Sequence, residues 1–174
     1  MIDRQLYSSR LTESGTCILN LPTLNSNSGS SSVSVEIVST STYATRAGFD
    51  ANISVKGIHF DGDHDHPINF EIEGLFLPND ELARLCDRIG DWTNQPLDKL
   101  AGTVFEGEFS FEAPGQKFRL RFGEREDTIS ALNLVVTVEI ESGRFVVETS
   151  FVTDQSCLHN FAQSLGKEIA DSPN

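Results

Sequence analysis

Several groups that most quickly name a chemistry are scarce or missing in this sequence. Its three cysteines, Cys17, Cys86 and Cys157, are odd in number and far apart. They therefore make neither a disulfide framework nor a paired-cysteine metal knuckle, and buried or idle thiols in a reducing compartment are expected. No apolar run approaches the roughly 18 residues of a membrane span. The opening MIDRQLYSSRL lacks the apolar core of a secretory signal, so a cytoplasmic protein is expected. Nucleophile and cofactor signatures are missing too: there is no GxSxG, no HExxH and no glycine-rich phosphate loop ahead of a helix. No enzyme and no cofactor is expected on these grounds. Basic residues are scarce as well, 13 against 26 acidic ones, for a net charge of −13. That balance argues against nucleic acid or an anionic membrane as a ligand, because phosphate neutralisation needs clustered Lys and Arg.

What the sequence does have is acid, and the acid is concentrated. Between Asp50 and Glu112 lie fourteen of the 26 carboxylates but only Lys56, Arg84, Arg88 and Lys99 among cations, a net of −10. Such a surplus costs self-repulsion in the folded state, yet it aids solubility and steers cationic partners. The 38% hydrophobic share with twelve Phe supplies enough apolar matter for a packed core, and 174 residues suit a single domain spanning 1–174.

The patterning along the chain predicts mainly strands. Residues 1–32 are poorly patterned, with a short apolar run from Cys17 to Leu21 closed by Pro22 and a Ser-rich loop from Asn25 to Ser32. Val33, Val35 and Ile37 alternate with polar residues, as in a half-buried strand. Phe49 to Phe60 reads as a longer strand, with a bulge expected at Gly57, and Ile68 to Leu77 as the next. A helix follows, with Asn79 as its expected cap and Leu82, Leu85, Cys86 and Ile89 on one face.

Two hairpins come next. Around Ala113-Pro114-Gly115-Gln116 the register sets Glu112 opposite Lys117 and Glu108 opposite Arg121. A second turn at Ser142-Gly143 sets Glu141 opposite Arg144. A closing helix from about Asp154 to Ala170 carries a stripe of Leu158, Phe161, Ala162, Leu165 and Ile169. The expected fold is α+β: about seven or eight antiparallel strands in a curved sheet or sandwich, with two helices packed on it.

Two polar clusters are candidate sites. In His59-Phe60-Asp61-Gly62-Asp63-His64-Asp65-His66, the three aspartates have the spacing that opens a calcium loop. The pattern then breaks, with His66 where glycine is needed and Ile72 where glutamate is needed, so a solvated hairpin tip is expected and no metal site. The strand Val104 to Glu112 is the other cluster, with Glu106, Glu108 and Glu112 opposite its Phe face. Lys117, Arg119 and Arg121 on the following strand would neutralise part of that row, which weighs toward a solvated sheet face. Cys157 has no histidine partner on its own side of the helix, since His159 points elsewhere.

Four segments resemble a known family. Phe49-Asp50-Ala51-Asn52-Ile53-Ser54-Val55 is similar to a "DxNW-hydrophobic-x-V" strand, with Ile53 where Trp is typical. Leu77-Pro78-Asn79-Asp80-Glu81-Leu82-Ala83-Arg84-Leu85 is similar to a strand leading into an "EL" helix. Phe109-Ser110-Phe111-Glu112-Ala113-Pro114 is similar to an "F-x-F-x-EP" strand, and Phe151 to Leu165 to a closing "F-x-x-D-x-x-x-L" element. Together they resemble the WapI-like immunity proteins that accompany polymorphic and contact-dependent growth-inhibition toxins, over about residues 49–170, with an acidic loop inserted at 61–66.

The resemblance implies a protein that covers the active site of a cognate toxin domain, often a ribonuclease or other nuclease with a cationic cleft. The acid surplus, counted without reference to any family, fits that role. The expected partner-binding residues are Asp61, Asp63 and Asp65, then Glu106, Glu108 and Glu112, with Asp50, Glu71 and Glu73 as further candidates. A monomer is expected. The alternative is an acidic secretion chaperone holding an effector segment, which would be a dimer with exposed apolar grooves.

Overall fold

The computed structural model describes residues 21–26, 28–61, 64–95, 107–113, 116–123 and 133–172. Among them the chain runs four strands, a helix, four strands and a helix. The first group is β1 (Thr23–Asn25), β2 (Ser32–Tyr43), β3 (Arg46–Asp61) and β4 (His64–Pro78), followed by α1 (Asn79–Thr93). The second is β5 (Gly107–Ala113), β6 (Gln116–Gly123), β7 (Asn133–Ser142) and β8 (Phe145–Asp154), followed by α2 (Gln155–Asp171). Each group of strands is an antiparallel meander in chain order, so the molecule holds two four-stranded sheets. This is the α+β, mostly antiparallel architecture that the alternating pattern predicts.

Alternation decides which face of each sheet is buried. Val33 and Val35 pair with Val55 and Ile53, while Ala51 and Ile53 pair with Leu75 and Ile72, and all are buried. In the second sheet Phe109, Leu120 and Val138 share a rung, as do Phe111, Phe118 and Ile140. The helices close the core between the sheets, α1 with Leu82, Leu85, Ile89 and Trp92 and α2 with Leu158, Phe161, Ala162 and Leu165. Burying side chains of this size contributes about 1.5–3 kcal/mol each, which is what holds the two sheets on one core. Polar ties add direction. Gln155 Nε2 donates to the Thr93 carbonyl at 2.7 Å, His159 Nδ1 and Thr93 Oγ1 lie 3.0 Å apart, and Thr153 Oγ1 donates to the Asn25 carbonyl at 2.7 Å.

Several local expectations are corrected. The ladder between β3 and β4 runs without a break through Gly57, which pairs with Ile68. The irregularity lies nearer the middle, between Ala51 and Ile53, opposite Glu73 and Gly74, with a second one in β2 between Ile37 and Ser39. Gly74 takes φ +68°, which lets the extra residue fit without strain. Asn79 does not cap α1: β4 stays extended through Pro78, which takes the cap position without a side-chain hydrogen bond, and Asn79 is already helical. The second hairpin turns at Gly143-Arg144, pairing Ser142 with Phe145 and Glu141 with Val146. Gly143 has φ +62°, so it belongs at the first loop position and the register moves by one residue. The first hairpin keeps the predicted register, Glu112 with Lys117 and Glu108 with Arg121.

The strand expected from Cys17 to Leu21 lies outside the described residues up to position 20, and a short strand begins at Thr23, beyond Pro22. Within the segment expected as a Ser-rich loop, Ser26 and Ser31 are joined by a 2.8 Å backbone hydrogen bond, and Ser32 already opens β2.

Candidate functional site

The acid surplus divides between two sheet faces that behave differently. On the solvent side of the second sheet, β5 contributes Glu108 and Glu112, β6 contributes Lys117, Arg119 and Arg121, and β7 contributes Glu139. These charges answer one another. Lys117 Nζ lies 2.7 Å from Glu139 Oε1 and 3.9 Å from Glu112 Oε1, and Arg119 reaches Glu139 at 3.0 Å and Glu108 at 3.2 Å. Arg121 lies 3.7 Å from Glu148 on β8. The hydrogen bond from Lys117, with the positive charges of Arg119, Lys117 and Arg121, holds the Glu139 carboxyl below the usual carboxylate range. Each exposed pair contributes only about 0–1 kcal/mol to stability. With Glu141 opposite Lys117 and Glu148 opposite Glu139, five carboxylates share this face with the three cations of β6, and four of the five are within salt-bridge distance of one.

The first sheet is different. Its solvent side carries Glu36 on β2, Asp50 on β3, and Glu71 and Glu73 on β4, with Lys56 as the cation two rungs from Asn52. No described cation forms a salt bridge with any of these four carboxylates. Asn52 organises the group: its Nδ2 donates to Glu36 Oε2 at 2.9 Å, and its Oδ1 accepts from the Gly74 amide at 3.2 Å. The same contact pins the irregularity that displaces Glu73. Asp50 sits one rung beyond, opposite Ser39 and Phe76, and takes a 3.4 Å contact from Ser39 Oγ.

Of the nine residues expected to bind a partner, Asp50, Glu71 and Glu73 lie together on this unneutralised face. Glu108 and Glu112 lie on the other sheet, tied to Arg119 and Lys117. Asp63 and Glu106 fall outside the described residues, and of Asp61 and Asp65 only the backbone is described. Asp61 pairs with His64 and Phe60 with Asp65, so the β3–β4 ladder runs to these strand ends, and the tip expected at 62 and 63 lies outside the described residues.

Glu36 was missed in the sequence because it precedes the acid-rich segment. The alternation of Val33, Val35 and Ile37 nonetheless placed it on the polar face. Asp80 and Glu81, counted in the surplus, are taken up by Arg46 at 2.8 and 3.4 Å, and Glu81 also by Arg84 at 3.2 Å.

The two described thiols, Cys86 and Cys157, have no role in this arrangement. Desolvation, with Asp87 nearby, pushes Cys86 up to about 11, and burial and Asp154 push Cys157 up as well. Neither is an activated nucleophile. Among the described residues no group of three or more His, Cys, Asp or Glu is placed to hold a metal, and no helix is long and apolar enough to cross a membrane.

No protein-family model matches this chain, and no curated protein matches it either. Among solved structures it is similar to the plant transcriptional regulator PBF-2, with 9% identity and a TM-score of 0.40 over 81% of this chain and 76% of that one. It is also similar to WHY3 from Arabidopsis thaliana, with 8% identity and a TM-score of 0.37 over 81% of this chain and 82% of the other. Neither likeness assigns a ligand or a family.

Proposed function

We propose that this chain is a cytoplasmic, non-enzymatic inhibitor that binds a cationic toxin domain of the nuclease type and covers its active site with the solvent side of the first sheet. One observation carries this reading. Glu36, Asp50, Glu71 and Glu73 share that face without a described cation to pair with them, while Glu108, Glu112, Glu139 and Glu148 of the second sheet each have one. None of the four lies directly opposite another in the strand registers, but together they give this face one sign of charge, and such a surplus costs self-repulsion in the folded state. A soluble scaffold gains nothing from that cost, whereas a cationic partner removes it on docking. Complementary charge raises the encounter rate and rejects wrong partners more than it deepens affinity. The WapI-like sequence resemblance supports the same role.

The test starts from the gene immediately upstream, which on this reading encodes a basic carboxy-terminal toxin domain, and measures association kinetics with that domain. The double substitution Glu71→Lys with Glu73→Lys should lower kon about tenfold at low salt, with koff changing far less. Glu108→Gln with Glu112→Gln should change kon by less than about twofold, because those charges are already answered. Equal loss from both pairs, or kon indifferent to salt, would overturn the assignment of this face.

A further inference from the structure

The acidic face ends in a groove lined by Tyr43, Asp50, Gly74 and Phe76, with Gln116 reaching in from the second sheet. Its most unusual member is Tyr43. Among the described residues only Tyr43 and Val146 are large hydrophobics left exposed, and Tyr43 is 40% accessible. The ring is nevertheless held. It packs at 5.7 Å and 42° on Phe76, which in turn meets Phe111 of β5 edge-on at 5.3 Å. Phe76 is seated over Gly48, where a Cβ would collide with its ring and with the Leu77 carbonyl. A ring fixed in this way loses little conformational freedom when something stacks on it.

Asp50 lines the same groove from the rung of Ser39 and Phe76, a half-buried carboxylate with one weak hydroxyl contact and no described cation. Gly74 leaves the approach open, with nothing within 4 Å of the point where a Cβ would stand. A groove that offers both a π-face and an unpaired carboxylate suits a planar, weakly hydrated cation better than a compact, strongly hydrated one. Guanidinium can lie on the ring while donating to the carboxylate, which an ammonium does less well.

We infer that this groove receives an arginine side chain of the cationic partner and anchors the complex there, a proposal that rests on the inhibitor reading above. Its charge argument is the surrounding face, where Glu36, Glu71 and Glu73 outnumber Lys56, and where Arg46, opposite Tyr43, is already answered by Asp80 and Glu81.

The experiment titrates the full chain with capped tetra-arginine and tetra-lysine peptides at low salt and follows backbone amide shifts by NMR. The arginine peptide should bind about three- to tenfold more tightly than the lysine peptide. Its shifts should centre on Tyr43, Asp50, Gly74, Phe76 and Gln116. Tyr43→Leu and Asp50→Asn should each abolish the preference, while Tyr43→Phe, which keeps the ring, should retain it. Thermal melts of the same variants establish that they are folded. Equal affinity for the two peptides, shifts centred elsewhere, or a silent Tyr43→Leu would overturn the arginine groove and leave the acidic-face reading standing. No association with either peptide would overturn both.

Discussion

Ala44 and Thr45 connect β2 to β3 with φ of 47° and 74°, a conformation that costs an L-residue about 1–2 kcal/mol and suits a β-branched side chain least. A two-residue turn of this hand matches the twist of the strands and favours Asn-Gly. The double substitution Ala44→Asn with Thr45→Gly should therefore stabilise the protein by about 1 kcal/mol. In a chain of this size that raises Tm by about 2–4 °C, readable by calorimetry. An unchanged or lower Tm would mean that the turn is not strained. The hairpin was not legible in the sequence because Ala-Thr carries none of the usual turn residues. The turn forms because eleven β2–β3 residue pairs, from Ser32↔Lys56 to Tyr43↔Arg46, hold its two ends together. By contrast, the Pro114-Gly115 hairpin advertises its own register, and Phe111 does face Phe118.

At the scale of elements, α2 starts where its sequence says it should. Asp154 caps it, the carboxylate accepting from the Cys157 amide at 2.9 Å and from Ser156 Oγ at 2.6 Å. Burial pulls the Asp154 carboxyl upward, but these hydrogen bonds outweigh it and leave the group below the usual carboxylate range. A depressed pKa in the folded state means stability that is present above the unfolded value, about 3.9, and lost as pH falls through the lower folded value. Asp154→Ala should thus cost about 1 kcal/mol at pH 7. The gap between variant and parent should narrow in urea titrations as pH drops below about 4. A gap independent of pH would show that the cap acts without its charge. The start of α1 reads less clearly, since an acceptable capping residue, Asn79, stands one position inside the helix. What places α1 there is β4, whose ladder with β3 runs as far as Pro78 opposite Gly48.

For the molecule as a whole, the net charge of −13 is only partly compensated locally. Cations of β6 meet most of the second sheet's carboxylates, whereas those of the first sheet have no described salt bridge and add to the molecule's net negative field. Raising NaCl from about 10 to 150 mM shortens the Debye length from about 30 to 8 Å. Tm should rise over that range, because weakened repulsion outweighs weakened surface pairs that contribute little each. The variant Glu71→Lys with Glu73→Lys should begin with a higher Tm at low salt and respond less. A Tm that falls with salt in the parent would mean that the ion-pair network, and not the acidic face, dominates the electrostatics.

The sequence by itself determined the strand and helix inventory, the faces that go inward, the compositional excess of acid and one hairpin register. Periodicity and turn chemistry are local, and each residue carries its own share of them. Only the tertiary structure decided that the strands divide into two sheets, that Glu108 and Glu112 meet cations while Asp50, Glu71 and Glu73 do not, that Glu36 joins the latter group, and that Tyr43 and Asp50 line one groove. Those outcomes depend on which strands become neighbours. Neighbours are chosen by the shared core of both sheets and helices, in which no single segment can bury its apolar face alone.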